Sequence, residues 1–183
     1  MKQKILFVSH CFLNDAAKLK NQNLKDQQLE RNAKRAFLKQ ALDYDIELIQ
    51  LPCPEFILYG CNRWGHAASQ FDTPFFHKES RRLLEPFVMQ IKEYVSAPER
   101  FEVLGVLGID GSPSCGVNYT YDGSWGGELT TNPNLEKSLH SLSKADYPGI
   151  FMKVFQQILK EYSLDIPFFS LETFSLEQVI GER

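Results

Sequence analysis

Phe101-Glu-Val-Leu-Gly-Val-Leu107 runs directly into Gly108-Ile-Asp-Gly-Ser-Pro-Ser-Cys-Gly116. The first half, extended to Ile109, reads as a strand that is apolar on both faces except for Glu102 near its start. Continuous apolar runs of this kind belong to parallel strands covered on both sides. The second half ends that strand with three glycines, a proline, two serines and a cysteine. Glycine lets the backbone approach a ligand closely, and the serines and the thiol are polar groups carried on a rigid support. The stretch therefore reads as the centre of an active site, with Cys115 as its most reactive group.

The flanking sequence repeats a strand–helix alternation. Lys4 to Ser9 reads as a first strand ending at His10-Cys11, followed by a polar loop, Phe12 to Lys25, with one helical turn. Leu29 to Tyr44 places Ala33, Ala36, Phe37, Ala41 and Leu42 among Lys, Arg and Gln, a helical stripe with a solvated face. Ile46 to Leu51 is a second strand, stopped by Pro52-Cys53-Pro54-Glu55, and Phe56 to Thr73 reads as a long loop. Thr73-Pro74 has the form of a helix start, with threonine at the cap and proline at the first helical position. That helix is expected to run toward Val95, with a kink or restart at Pro86.

After the third strand, Gly116 to Leu142 reads as a third long loop containing Trp125-Gly-Gly-Glu128, a segment with the form of a lid. Tyr147 to Tyr162 is an amphipathic helix, Ile166 to Leu171 a fourth strand, and Ser175 to Ile180 a short last helix. This order predicts a single α/β domain over residues 1–183. Its core is an open, mostly parallel sheet of the Rossmann or flavodoxin kind, strand order about 2-1-3-4, with helices on both faces. In such sheets ligands bind outside the carboxyl ends of the strands, at the point where the strand order reverses. All three long loops start there.

A length of 183 residues suits one domain with a real core. A net charge of −3 offers no electrostatic attraction to nucleic acid or an anionic membrane. No stretch approaches the ~20 apolar residues of a membrane span, and the short first apolar run reads as a strand rather than a signal peptide. A cytoplasmic protein is expected, so the four cysteines, Cys11, Cys53, Cys61 and Cys115, read as metal ligands or catalytic groups rather than disulfides.

Three of them follow successive strands: Cys11 after the first, Cys53 after the second and Cys115 after the third. Strands in a sheet lie ~5 Å apart, so a 2-1-3 order brings three thiols to one edge. Several readings stand open here. Three cysteines can hold a [4Fe-4S] cluster with one open iron, or a Cys₃ zinc site with an open position. Cys115 alone can be a thiolate nucleophile, and free cysteines are also simply small buried residues. Glu55, two residues beyond Cys53, is placed for acid–base work, or is a loop glutamate. Ser112 and Ser114 can hydrogen-bond a substrate or cluster sulfurs, or shape the turn. Asn14 can orient a ligand or cap its turn, and His10 reads as hydrogen-bonded structure. Arg63 and Trp64 can clamp and stack a planar heterocycle, or Trp64 folds its loop onto the core.

His10-Cys11-Phe-Leu-Asn14, Leu51-Pro-Cys53-Pro-Glu55, Arg63-Trp-Gly65 with Gln70-Phe-Asp-Thr-Pro74, and Gly108 to Gly116 together resemble the TudS family of thiouracil desulfidases and their relatives. The resemblance covers more than half the chain. It implies an oxygen-sensitive [4Fe-4S] cluster on Cys11, Cys53 and Cys115, whose open iron takes the sulfur of a small thiolated substrate while water replaces it at carbon. That is hydrolytic desulfuration without net redox chemistry, assisted by a glutamate matching Glu55 and a serine matching Ser112 or Ser114. Two loops depart from the family, Asn14 to Leu19 and the Arg63-Trp-Gly65 segment, so the expected substrate is thiouracil-like rather than thiouracil itself. Two other readings stay open: a non-catalytic metal- or ligand-binding protein, and a hydrolase or transferase with Cys115 as nucleophile.

Overall fold

The computed structural model of the chain describes residues 2–20 and 23–176. Its main sheet contains β1 (Gln3–Val8), β2 (Ile46–Gln50), β3 (Phe101–Gly108) and β6 (Phe168–Ser170), all parallel, in the order β2-β1-β3-β6. This is the expected open sheet, with the reversal of order between β1 and β3.

Alternation along β1 divides the core in two. Ile5 and Phe7 face one layer and Leu6 and Val8 the other, and all four are buried. The first layer is closed by α4 (Pro74–Ser96) and α6 (Ile150–Glu161), through Phe76, Leu84, Val88 and Ile91 on one and Phe151, Val154, Phe155 and Ile158 on the other. The second is closed by α1 (Leu24–Asp43), through Phe37 and Ala41. The register pairs Val8 with both Gln50 and Leu107, so three strands stop side by side. One irregularity, between Ile5 and Leu6, lies opposite Gly105, whose φ of +151° and missing side chain let Pro167 approach.

Several local expectations are revised. Helix α1 begins at Leu24, and the buried residues on it are Lys34, Phe37 and Ala41; Leu42 is exposed. Helix α4 starts at Thr73-Pro74 as expected, the Thr73 hydroxyl accepting from the Phe76 amide at 3.2 Å. It passes Pro86 without restarting, because its buried stripe continues through Val88 and Ile91 on the same face. The segment read as a loop from Phe56 to Thr73 begins inside α2 (Pro54–Tyr59) and contains α3 (Ala68–Phe71). The loop Gly116 to Leu142 contains β4 (Thr120–Asp122) and α5 (Leu135–Leu139), and β4 pairs antiparallel with β5 (Ser143–Ala145). The helix expected at Ser175 to Ile180 falls mostly outside the described residues. Among the described residues no helix is long and apolar enough to cross a membrane.

Candidate functional site

Each of three strand ends delivers a cysteine by a different local device. Cys11 lies in a 3₁₀ turn, His10–Phe12, directly beyond β1. Cys53 is the N-cap of α2, with Pro54 in the first turn, and its sulfur accepts from the Phe56 amide at 3.4 Å. Cys115, 7% exposed, sits in the turn after β3, where the Ser112 hydroxyl accepts from its amide at 3.0 Å.

That turn is fixed from several sides. The Asp110 carboxylate accepts from the amides of Val117 and Asn118, both at 2.8 Å. Burial opposes ionisation of Asp110, but these hydrogen bonds outweigh it and hold its carboxyl below the usual range. The first turn of α6 donates back to the loop, from Ile150 to the Pro113 carbonyl at 3.0 Å and from Met152 to the Ser114 carbonyl at 3.1 Å. The glycines serve this packing. A Cβ on Gly108 would stand 2.4 Å from the Cys115 carbonyl, and one on Gly116 2.3 Å from that of Tyr119. They make room for the loop's own backbone, which corrects the expectation that they make room for a ligand.

The three thiols are free and close enough to influence one another's charge. Burial is the first cause that pushes each of them up. Cys115 is raised well above its ordinary value by burial and then by Cys11, with Cys53 adding to the rise. Cys11 is pushed up to about 12 by burial, against the pull of Lys18 and Lys34, with a contribution from Cys53. Cys53 is raised by burial, partly offset by the Phe56 amide and Arg63. Among the described residues no three His, Cys, Asp or Glu side chains converge closely enough to hold one metal ion. The thiols are neighbours that do not meet at a point. A single zinc demands donors ~2.3 Å from one centre, whereas a cluster takes its cysteines on separate irons and accepts a wider set. A cationic group between the thiols would also reverse their protonation, since a coordinated thiol loses its proton outright.

Glu55 and Ser114 stand beside this set. Glu55 is 7% exposed and Ser114 1%. The Ser114 hydroxyl is 2.6 Å from Glu55 Oε1, 3.4 Å from Cys115 Sγ and 3.3 Å from the Ser112 hydroxyl. It has one proton, and the short contact to the carboxylate takes it. The Ser114 hydroxyl also lies within reach of the Cys115 sulfur, so it stands between thiol and carboxylate. On its far side Glu55 accepts from Arg63 Nε at 3.2 Å, so the buried charge is paired.

Arg63 is fully engaged: its other nitrogens donate to the carbonyls of Gly60 at 2.9 Å and Ala17 at 2.8 Å. It holds the site together and is not free to clamp a heterocycle. Trp64 is 74% exposed, away from the core, and with His66, Trp125 and Leu129 lines a cleft of roughly 260 Å³. Trp125 crosses to that cleft and donates its indole N–H to the Gly65 carbonyl at 3.0 Å. Asn14 caps the turn Asp15–Ala17 by accepting from the Ala16 amide at 3.0 Å. His10 Nδ1 donates to the Leu51 carbonyl at 3.3 Å, leaving Nε2 to accept from Asn14 Nδ2 at 3.4 Å. Together these stitch the β1 and β2 loops. Cys61 is exposed and takes no part.

The sequence reading missed Lys34, whose ammonium donates to the Cys11 carbonyl at 2.9 Å, and Gly149, against which the Ser114 backbone packs. Lys34 carried a signal: it is a charge at i−3 and i−7 from Phe37 and Ala41, on the face those residues turn inward.

No protein-family model matches the chain, and no solved structure matches it. It is similar to "Uncharacterized protein MJ0003" of Methanocaldococcus jannaschii, 33% identical over 118 residues, covering 63% of this chain and 69% of that protein.

Proposed function

The chain belongs to the same family as the Methanocaldococcus jannaschii protein, and we propose, from its own site, that it is an iron–sulfur enzyme that removes sulfur from a small thiolated compound. The observation that carries this reading is the set of three mutually interacting thiols at three adjacent strand ends, with a buried carboxylate joined to one of them through a serine. The resemblance to the TudS family supports the same assignment, with thiouracil-like compounds as the substrate class.

Cys11, Cys53 and Cys115 would hold a [4Fe-4S] cluster, and when bound it supplies an open iron, a Lewis acid for the substrate's sulfur. The chain's own residues manage the protons. Ser114 leads from the Cys115 sulfur to Glu55 Oε1, a route by which the thiol's proton leaves as the ligand set forms. The same carboxylate is the group placed to take a proton from the water that replaces sulfur at carbon, as hydrosulfide departs. Arg63 anchors Glu55 from behind through Oε2, leaving Oε1 directed toward Ser114. Trp64 stands apart at the open cleft, placed to contact a ring.

The test is hydrosulfide release under strict anaerobiosis from thiolated pyrimidines. Release by the wild-type chain, falling on the order of 100-fold or more in Glu55→Gln, is the expected result. Full release by that variant would remove Glu55 from the chemistry. No release from any thiolated substrate by an iron-loaded chain would favour a binding protein.

A further inference from the structure

Lys34 is 3% exposed, in the middle of α1, on a face it shares with Phe37 and Ala41. An apolar residue would satisfy that position, and burying an ammonium there is costly unless every proton finds an acceptor. Two hydrogen bonds and an ion pair meet that cost. Lys34 Nζ donates to the Cys11 carbonyl at 2.9 Å and to Asp15 Oδ1, and the Glu30 carboxylate, one helical turn back, stands 3.2 Å from it. Cys11 and Asp15 belong to one segment, so the ammonium grips that segment at two points while Glu30 roots the grip in the helix. Lys18, further along the same segment, pairs back to Glu30. At the segment's other face the buried Arg63 takes the Ala17 carbonyl. The loop bearing Cys11 is thus strung between two buried cations, and only one of them, Arg63, also serves Glu55.

We propose that Lys34 is a positioning residue of the three-thiol site, holding Cys11 in place opposite Cys53 and Cys115 through the Cys11 carbonyl. The inference rests on reading those thiols as one ligand set. Neither Cys53, fixed by the cap of α2, nor Cys115, fixed by the loop on α6, has such a device. Cys11 is carried beyond β1 on two short 3₁₀ turns, with no long helix following it directly. A compact ammonium fits a carbonyl and two carboxylates that converge on one point, which a planar guanidinium does not.

The experiment uses the full chain in a Cys61→Ala background, reduced and handled anaerobically, with Lys34→Met and the milder Asp15→Asn. Alkylation by N-ethylmaleimide is followed cysteine by cysteine by peptide mass spectrometry. With rates taken over a pH series and expressed per thiolate, because the Lys34 charge also pulls the Cys11 thiol down, Cys11 is expected to react about tenfold faster in Lys34→Met, the factor that goes with one hydrogen bond to a charged group, and by a smaller factor in Asp15→Asn. Cys53 and Cys115 keep their parent rates. After loading with iron and sulfide, both variants are expected to lose iron to a chelator faster than the parent. An unchanged Cys11 rate in both variants overturns the proposal, and so does equal acceleration at all three thiols, which would mark general loosening. A parent that takes up no iron would sink the cluster reading separately, leaving the alkylation rates to judge the clasp.

Discussion

Arg63 and Glu55 are eight positions apart, and nothing in their spacing announces a buried ion pair. Both looked like loop residues open to substrate. Helix α2 carries Glu55 and the segment after it returns Arg63 to the carboxylate, and both side chains are buried. Pro54 at the first helical position was a legible helix start that the reading passed over. Residue chemistry at the strand ends was more visible, because cysteines following three successive strands form a pattern that core packing does not require. The distinction between Arg63 and Trp64 is testable at this scale. Arg63→Ala leaves Glu55 buried and unpaired, and is expected to cost ~3–5 kcal/mol in urea denaturation. Trp64→Ala, at a position 74% exposed, is expected to stay within ~0.5 kcal/mol. A mild Arg63→Ala effect would contradict its structural role.

At the scale of elements, helices with long apolar stripes and a clear cap could be read directly, as α4 and α6 show. The pieces that escaped are short. Thr120–Asp122 and Ser143–Ala145 are three-residue, largely polar strands, too brief to show alternation. The seating of the Cys115 loop on the start of α6 also escaped, because it is made by backbone groups that no side-chain pattern reports. It depends on Gly149, where an added Cβ would stand 2.5 Å from the Ser114 carbonyl carbon and 2.8 Å from the Cys115 amide nitrogen. Both neighbours are backbone and cannot swing aside. Gly149→Ala is therefore expected to destabilise the chain by ~1–3 kcal/mol and to weaken iron retention, since the shift falls on Cys115 itself. An Ala variant with wild-type stability would show that the loop is not seated this tightly.

The whole molecule was the most legible level. Four apolar strand runs separated by helices leave few arrangements for a parallel sheet, and the observed order β2-β1-β3-β6 is the one expected. That order brings a buried thiol, Cys115, and two half-buried ones, Cys11 and Cys53, to one edge of the sheet, with a consequence for stability of the metal-free chain. The native state raises Cys11 from 9.0 to about 12 and so holds its proton more firmly than the unfolded chain does. The resulting stabilisation is full below the unfolded value and is lost as pH rises from 9.0 through about 12. Tyr119 and Tyr147, raised from 10.0 to about 12 chiefly by burial, act with the same sign. Denaturant midpoints should therefore fall as the solution is made alkaline, and fall less in Cys11→Ala; an equal fall would place the effect on the tyrosines and the other two thiols. Thiols that burial holds protonated are the ones a bound cationic group would relieve, and the central claim is that an iron–sulfur cluster is that group. Iron and acid-labile sulfide analysis of the anaerobically purified chain tests it most directly. The account predicts about four of each per chain, lost when Cys11, Cys53 or Cys115 is changed to alanine and retained in Cys61→Ala. Tightly held zinc, or no metal under strict anaerobiosis, would contradict it.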